Sequence, residues 1–112
     1  MIRIEVVRDA GEKFKRLEIS GHAGYAEYGR DIVCAAVSAL AETAALGLEK
    51  IAGVRPLVKK REGYFLLKLP ENINEDAYTR SSIIIETICL GLVDMSKSYP
   101  SHVQVKMKKE VQ

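Results

Sequence analysis

The chain has 112 residues, 47% of them hydrophobic and 29% charged, with a formal net charge of +2. That length supports one hydrophobic core rather than two, so a single domain spanning 1–112 is expected. The near-neutral balance demands neither nucleic acid nor an anionic membrane surface as a partner.

From the N-terminus, Ile2, Ile4 and Val6 alternate with Arg3 and Glu5, the period of a half-buried strand. The same stretch, Met1–Arg8, lacks the apolar run of a signal peptide, and no uninterrupted apolar run in the chain approaches a membrane span. Asp9–Lys13 is turn chemistry, and Phe14–Ser20 reads as the second strand of a hairpin, with Leu17 and Ile19 on one face. From Asp31 the period changes to about four through Ile32, Ala36, Leu40, Ala44 and Leu48, which predicts a helix ended by Gly53. Val54–Lys60 and Tyr64–Leu69 are the next two strands, joined across Arg61-Glu62-Gly63. A second helix follows, roughly Asn74 to Lys97, with Asn74 or Asn72 as its cap. Its middle, Ile83–Val93, is apolar on more than one side, so more than one side needs cover. A second copy of the chain would supply it, and Gly91 would favour close packing. Pro100 stops the helix, and Ser101–Lys108 alternates as a last strand with Lys106 and Lys108 toward solvent. The order β-β-α-β-β-α-β defines an α+β fold, a mixed or antiparallel sheet packed with two long helices.

The chemistry concentrates between Gly21 and Ser38, GHAGYAEYGRDIVCAAVS. Asp31 stands where a helix N-cap belongs, and Cys34 falls three residues later in the first turn. Backbone N–H groups there lack intrahelical partners and carry the positive end of the helix dipole, which favours a thiolate and offers donors for an oxyanion. His22, flanked by Gly21 and Ala23, has room to fold back toward the sulfur, and a Cys–His pair is a standard activated nucleophile. Asp31 has two readings: a cap that accepts the N–H of Val33 or Cys34, or a third catalytic member that orients the imidazole. Ser38 lies one turn beyond Cys34 on the same face, free to bond the sulfur, a substrate group or its own helix backbone. Tyr25 and Tyr28, with Gly24 and Gly29, have the make-up of a mobile flap that clasps an apolar peptide, or of ordinary packing onto the sheet. Cys89, among isoleucines and leucines, reads as a core thiol, and His102 as a surface or strand-edge residue. Two cysteines without a framework read as reduced thiols in a cytoplasmic protein. His22, Cys34, Cys89 and His102 show no metal-ligand spacing, and no phosphate-cradling or dinucleotide motif is present, so neither metal nor cofactor is expected.

Gly21-His22-Ala23-Gly24 followed by Gly29-Arg30-Asp31-Ile32-Val33-Cys34-Ala35-Ala36-Val37-Ser38 resembles the signature of the ribosomal-processing cysteine protease family, Prp. Length and element order match along the whole chain. The resemblance implies a nucleophile at Cys34 and a base at His22, with Gly21, Asp31 and Ser38 at further signature positions. It implies a cytoplasmic homodimer that removes the N-terminal extension of a large-subunit ribosomal protein, number twenty-seven. Substrates of the family carry aromatic residues before the cut, which would suit an apolar groove beneath Tyr25 and Tyr28. Two rivals remain: a non-catalytic module that binds the same protein during ribosome assembly, and a thiol redox enzyme that would lack a nearby resolving cysteine. The mild charge and few aromatics speak against a direct nucleic-acid ligand.

Overall fold

The computed structural model describes residues 1–27 and 30–110. The elements are β1 (Ile2–Arg8), β2 (Phe14–Ser20), α1 (Ile32–Lys50), β3 (Leu57–Arg61), β4 (Tyr64–Lys68), α2 (Glu75–Ser98) and β5 (Val103–Lys109). The five strands form one sheet in the order β3-β4-β2-β1-β5. The β1–β5 pair is parallel and the other pairs are antiparallel, so the sheet is mixed.

Alternation sets the two faces of the sheet. Ile2, Ile4 and Val6 of β1, Leu17 and Ile19 of β2, Phe65 and Leu67 of β4 and Val103 of β5 are buried in one cluster with the inner sides of both helices. Ile4, Leu17, Leu48, Leu67 and Leu92 are among the largest fully buried side chains, each stabilising the fold by about 1.5–3 kcal/mol through burial. The opposite face is polar and cross-linked: Lys108 pairs with Glu5 at 2.9 Å and the Tyr64 hydroxyl donates to Glu18 at 2.6 Å.

The helices lie antiparallel against each other, because small residues allow close approach at both ends of the contact. A Cβ on Gly91 would come 3.2 Å from Leu40, and one on Gly47 would come 3.0 Å from Ile84. The close packing expected of Gly91 is therefore taken up by α1 of the same chain. What α2 leaves outside is narrower than its composition indicates: Ile83 and Leu90 are 66% and 73% exposed, while Ile85, Ile88, Cys89 and Leu92 are buried.

Two strand boundaries and one hydropathy reading differ from the expectation. The third strand begins at Leu57 rather than Val54. Gly53 sits at φ 69°, and the turn it makes sends the Val54 N–H to the Leu48 carbonyl at 2.9 Å, so Val54 closes the turn after the Ile51 cap of α1 and is buried. The fourth strand ends at Lys68 rather than Leu69. Finally, Ile32–Ala52 is, by length and composition, apolar enough to cross a membrane. Ser38, Glu42 and Thr43 break it into short apolar runs. In the fold, its Val33, Val37, Ala41, Ala44 and Leu48 are buried in the core.

Candidate active site

β2 delivers the chain to Gly21, which takes φ 93° and bonds the Gly63 carbonyl through its N–H at 2.9 Å. A Cβ there would collide with the carbonyl oxygen of Met1, so only glycine makes this exit from the sheet. His22 follows, exposed, with its ring over the β3–β4 turn. A Cβ added to Gly63 would lie 2.9 Å from His22 Nε2. Ala23 is buried, and its N–H donates to Cys34 Sγ at 3.3 Å.

Asp31 is the clasp of the site. Its Oδ1 accepts the N–H groups of Val33 and Cys34, both at 3.0 Å, closing the start of α1. Its Oδ2 accepts Tyr25 N–H at 3.0 Å and Ala26 N–H at 3.4 Å, tying the loop to the same cap. Desolvation works against the charged carboxylate, but the N–H donors of Cys34, Tyr25 and Ala26, with a smaller contribution from the Cys34 side chain, outweigh it and hold the carboxyl below its usual range. Both oxygens are committed to backbone donors. The geometry is that of a cap that also shapes the loop, and none of these bonds reaches His22.

Cys34 is half-buried and opens onto a cavity of about 800 Å³ between the outer flank of α1 and the β3–β4 hairpin. Gly21, His22, Asp31, Cys34 and Ser38 all line it, so the structure brings five of the seven residues singled out in the sequence to one concavity. Ala35 and Ala41 widen it on the helix side, and Lys60, Arg61 and Glu62 form the opposite rim. Lys60 pairs with Glu42 at 2.5 Å, linking β3 to α1 across it.

Other expectations change. The first-turn N–H groups of Val33 and Cys34 are bonded by Asp31, so they are not open donors for an oxyanion; the donor that faces the sulfur comes from the loop, at Ala23. Tyr25 does not line the cavity. Its ring stands edge-on to Tyr99 and His102, with centroids at 5.8 Å and 5.4 Å. In this structure the exposed Tyr25 ring rests against two rings at the junction of α2 and β5. Tyr28 and Gly29 lie outside the described residues. Among the described residues, no bond joins the His22 ring to Cys34 Sγ, and no group of three or more His, Cys, Asp or Glu side chains gathers as a metal site. Two residues take roles the sequence did not give them: Gly63, read only as part of a turn, is the platform under His22, and His102, read as a surface or strand-edge residue, has its Nδ1 2.8 Å from the Ala23 carbonyl. Neither is near the signature in the chain, and pairing of β4 with β2 and of β5 with β1 brings them there.

A thiol and an imidazole on the wall of one open cleft, with a backbone amide on the sulfur, give this α+β fold the build of a thiol hydrolase. The comparisons make the class specific. Residues 1–104 match the family model of cysteine protease Prp, and the chain belongs to that family. It is 31% identical over 107 residues to the ribosomal processing cysteine protease Prp of Bacillus subtilis (strain 168), covering 94% of this chain and 96% of that protein. The crystal structure of SMU.848 from Streptococcus mutans superposes with a TM-score of 0.84 at 31% identity, covering 98% of this chain and 96% of that one. The Staphylococcus aureus Prp, solved with a covalently linked product peptide, shares the fold with a TM-score of 0.84 at 24% identity, covering 96% of this chain and all of that one. The chain is accordingly a cysteine protease.

Proposed function

We propose that this protease removes the N-terminal extension of a large-subunit ribosomal protein, number twenty-seven, with Cys34 as nucleophile and His22 as general base and acid. The observation that carries the reading is that Cys34 and His22 line one cavity with the Ala23 N–H donated to the sulfur. The relatives named for ribosomal processing set the substrate class.

His22 takes the thiol proton and the Cys34 sulfur attacks the scissile carbonyl carbon. An S–C bond forms and the carbonyl electron pair moves to oxygen. That pair then returns, the C–N bond breaks, and His22 gives its proton to the departing amine. Water, deprotonated by His22, attacks the thioester; the S–C bond breaks and the free thiol is restored. The exposed His22 ring, standing on a glycine, has freedom to swing to the sulfur when peptide fills the cleft. Gly21 and Asp31 shape the site, and Ser38 faces the peptide from the helix wall. Tyr28 remains a candidate peptide contact. The enzyme works in the cytoplasm, where a free half-buried thiol stays reduced. It pairs with a second copy through the apolar residues left on the helical layer, Leu90 and Ile83 of α2 with Leu46 and Ile51 of α1. Leu90→Glu in a sedimentation experiment tests the pairing.

The deciding assay mixes the protein with a peptide spanning the ribosomal extension. Cleavage by the wild type that is lost in Cys34→Ala with binding retained supports the reading. Binding without cleavage by either would favour a ribosome-assembly module, and peroxide-dependent turnover would favour thiol redox chemistry.

A further inference from the structure

Cys34 receives one hydrogen bond from the described protein, the N–H of Ala23 at 3.3 Å. How firmly that donor is placed depends on what holds the loop around it. On the α1 side the answer is Asp31, through the N–H groups of Tyr25 and Ala26. On the other side the Met1 ammonium donates to the His22 carbonyl at 2.5 Å, and the Ala23 carbonyl is met by the junction between α2 and β5, which contains a histidine outside the signature.

The backbone of His102 is fixed at both ends. Its N–H donates to the Tyr99 carbonyl at 2.9 Å, and its own carbonyl accepts the Ile2 N–H at 2.8 Å, where β5 begins to run parallel to β1. From that anchored position the ring reaches back to the loop. Nδ1 lies 2.8 Å from the Ala23 carbonyl oxygen. A carbonyl can only accept, so Nδ1 carries the proton. The same ring meets Tyr25 edge-on at 5.4 Å, and Tyr25 also meets Tyr99 at 5.8 Å. Ala23 is thus held through its carbonyl by His102 while its N–H points at the sulfur, and Tyr25, two residues on, is seated between two rings of the same junction.

We infer that His102 is a positioning residue for the proteolytic reaction: its Nδ1–H fixes the Ala23 carbonyl and thereby aims the Ala23 amide at Cys34. It is not a catalytic residue, since it does not line the cleft. Its effect passes through one residue of backbone. A hydrogen bond to the sulfur depends steeply on distance and angle, so loosening Ala23 weakens it without moving Cys34. The inference rests on the proposed role of Cys34, and the test separates the two.

The side-chain amide of asparagine can place an N–H close to where Nδ1 stands, whereas glutamine places it one bond further out. Full-length His102→Ala, His102→Asn and His102→Gln are compared with wild type in two readouts: kcat and KM on the extension peptide, and the rate at which a small alkylating reagent modifies Cys34 at pH 7. Loss of one positioned donor costs catalysis about 10²–10³-fold when it is direct, so an indirect loss is expected near tenfold. His102→Ala and His102→Gln should lower kcat and slow Cys34 alkylation by about tenfold with KM changed less than about threefold, and His102→Asn should restore both to within about threefold. Protection of buried Cys89 from the same reagent reports the fold within each sample. Should Cys89 become reactive in His102→Ala, the asparagine–glutamine pair decides. Wild-type rates in both readouts for His102→Ala, or equal losses for asparagine and glutamine, overturn the inference. A wild type that does not cut the peptide defeats the proposed function instead, while the alkylation readout still judges His102.

Discussion

The two cysteines of this chain, one on each helix, sit in opposite surroundings. Cys34 is in the first turn of α1, half-buried on the wall of a cleft, with the Ala23 amide donated to its sulfur and an imidazole sharing the cavity. Cys89 is in the middle of α2, 4% exposed among Ile85, Ile88 and Leu92. Burial first, and then the Glu86 carboxylate, push its thiol up to about 11, with Arg8 pulling weakly the other way. Arg8 is occupied in a two-bonded pair with Glu86, at 2.5 Å and 2.8 Å, so it does little for the sulfur. The lesson is that helix position decides what a thiol can do. At a helix start a loop can fold over the first turn and bring a donor to the side chain; in mid-helix the backbone donors are used within the helix and the Cys89 side chain is shut in among apolar neighbours with the Glu86 carboxylate nearby.

The sharpest break of this contrast is removal of each sulfur in turn. Cys34→Ala should lower peptide cleavage by at least about 10³-fold, as loss of a nucleophile does, with peptide binding retained; Cys89→Ala should cut within about threefold of wild type. Equal loss from both would show that the fold rather than the first sulfur carries activity.

Next comes the alkaline limb of stability. Cys89 has its folded value raised, so the native state keeps this proton after the unfolded chain has lost it. Its contribution is complete below the ordinary thiol range and is lost as pH rises from about 9 toward about 11. Two pH units correspond to about 2–3 kcal/mol. Urea unfolding of wild type and Cys89→Ala at pH 7, 9 and 10.5 should show the wild type falling more steeply with pH. Parallel curves would mean that the buried thiol does not feel its surroundings as described.

Two glycines with the same φ of 69° sharpen the active-site side of the comparison. Gly53→Ala meets no atom within 4 Å, whereas Gly63→Ala puts a Cβ 2.9 Å from His22 Nε2. Both should lose about 1 kcal/mol of stability from the left-handed backbone. Only Gly63→Ala should also lower kcat, by about tenfold, because it displaces the imidazole. Equal kcat in the two variants would show that His22 does not work from this platform.

Much of this was legible in the chain because the relevant contacts are local. Asp31 caps the helix that carries Cys34 through bonds spanning two and three residues, and Ile2, Ile4 and Val6 show their buried face by alternation alone. Strand order was not legible: β5 joins β1 in parallel after α2 has crossed the sheet, and nothing in Val103–Lys109 names its neighbour. The contacts of Gly63 and His102 with the site were hidden for the same reason, since each meets it through strand pairing far along the chain. The ring partners of Tyr25 were not legible because Tyr99 and His102 lie 74 and 77 positions away. The start of β3 was misplaced because the pattern of Val54 records burial, and a buried residue in the turn after a helix alternates as well as a strand does.

The smallest expected effect concerns the cap. Asp31→Ala should cost about 1 kcal/mol, the usual worth of an N-cap. The acid side mirrors the alkaline side of Cys89. Asp31 is held below its ordinary value by the amides it accepts, against the opposing effect of desolvation. The unfolded chain therefore takes up this proton first. The stability Asp31 contributes is complete above about pH 4, the unfolded carboxyl range, and is lost as pH falls through the lower folded value. The gap in urea midpoint between wild type and Asp31→Ala should be full at pH 6 and close as pH drops below about 4. Because Oδ2 also binds Tyr25 and Ala26, the same variant should slow alkylation of Cys34 at pH 7 by freeing the loop that carries Ala23. A stability loss at pH 6 with an unchanged alkylation rate would separate cap from clasp, and would leave His102 on the Ala23 carbonyl and the Met1 ammonium on the His22 carbonyl as the restraints on that amide.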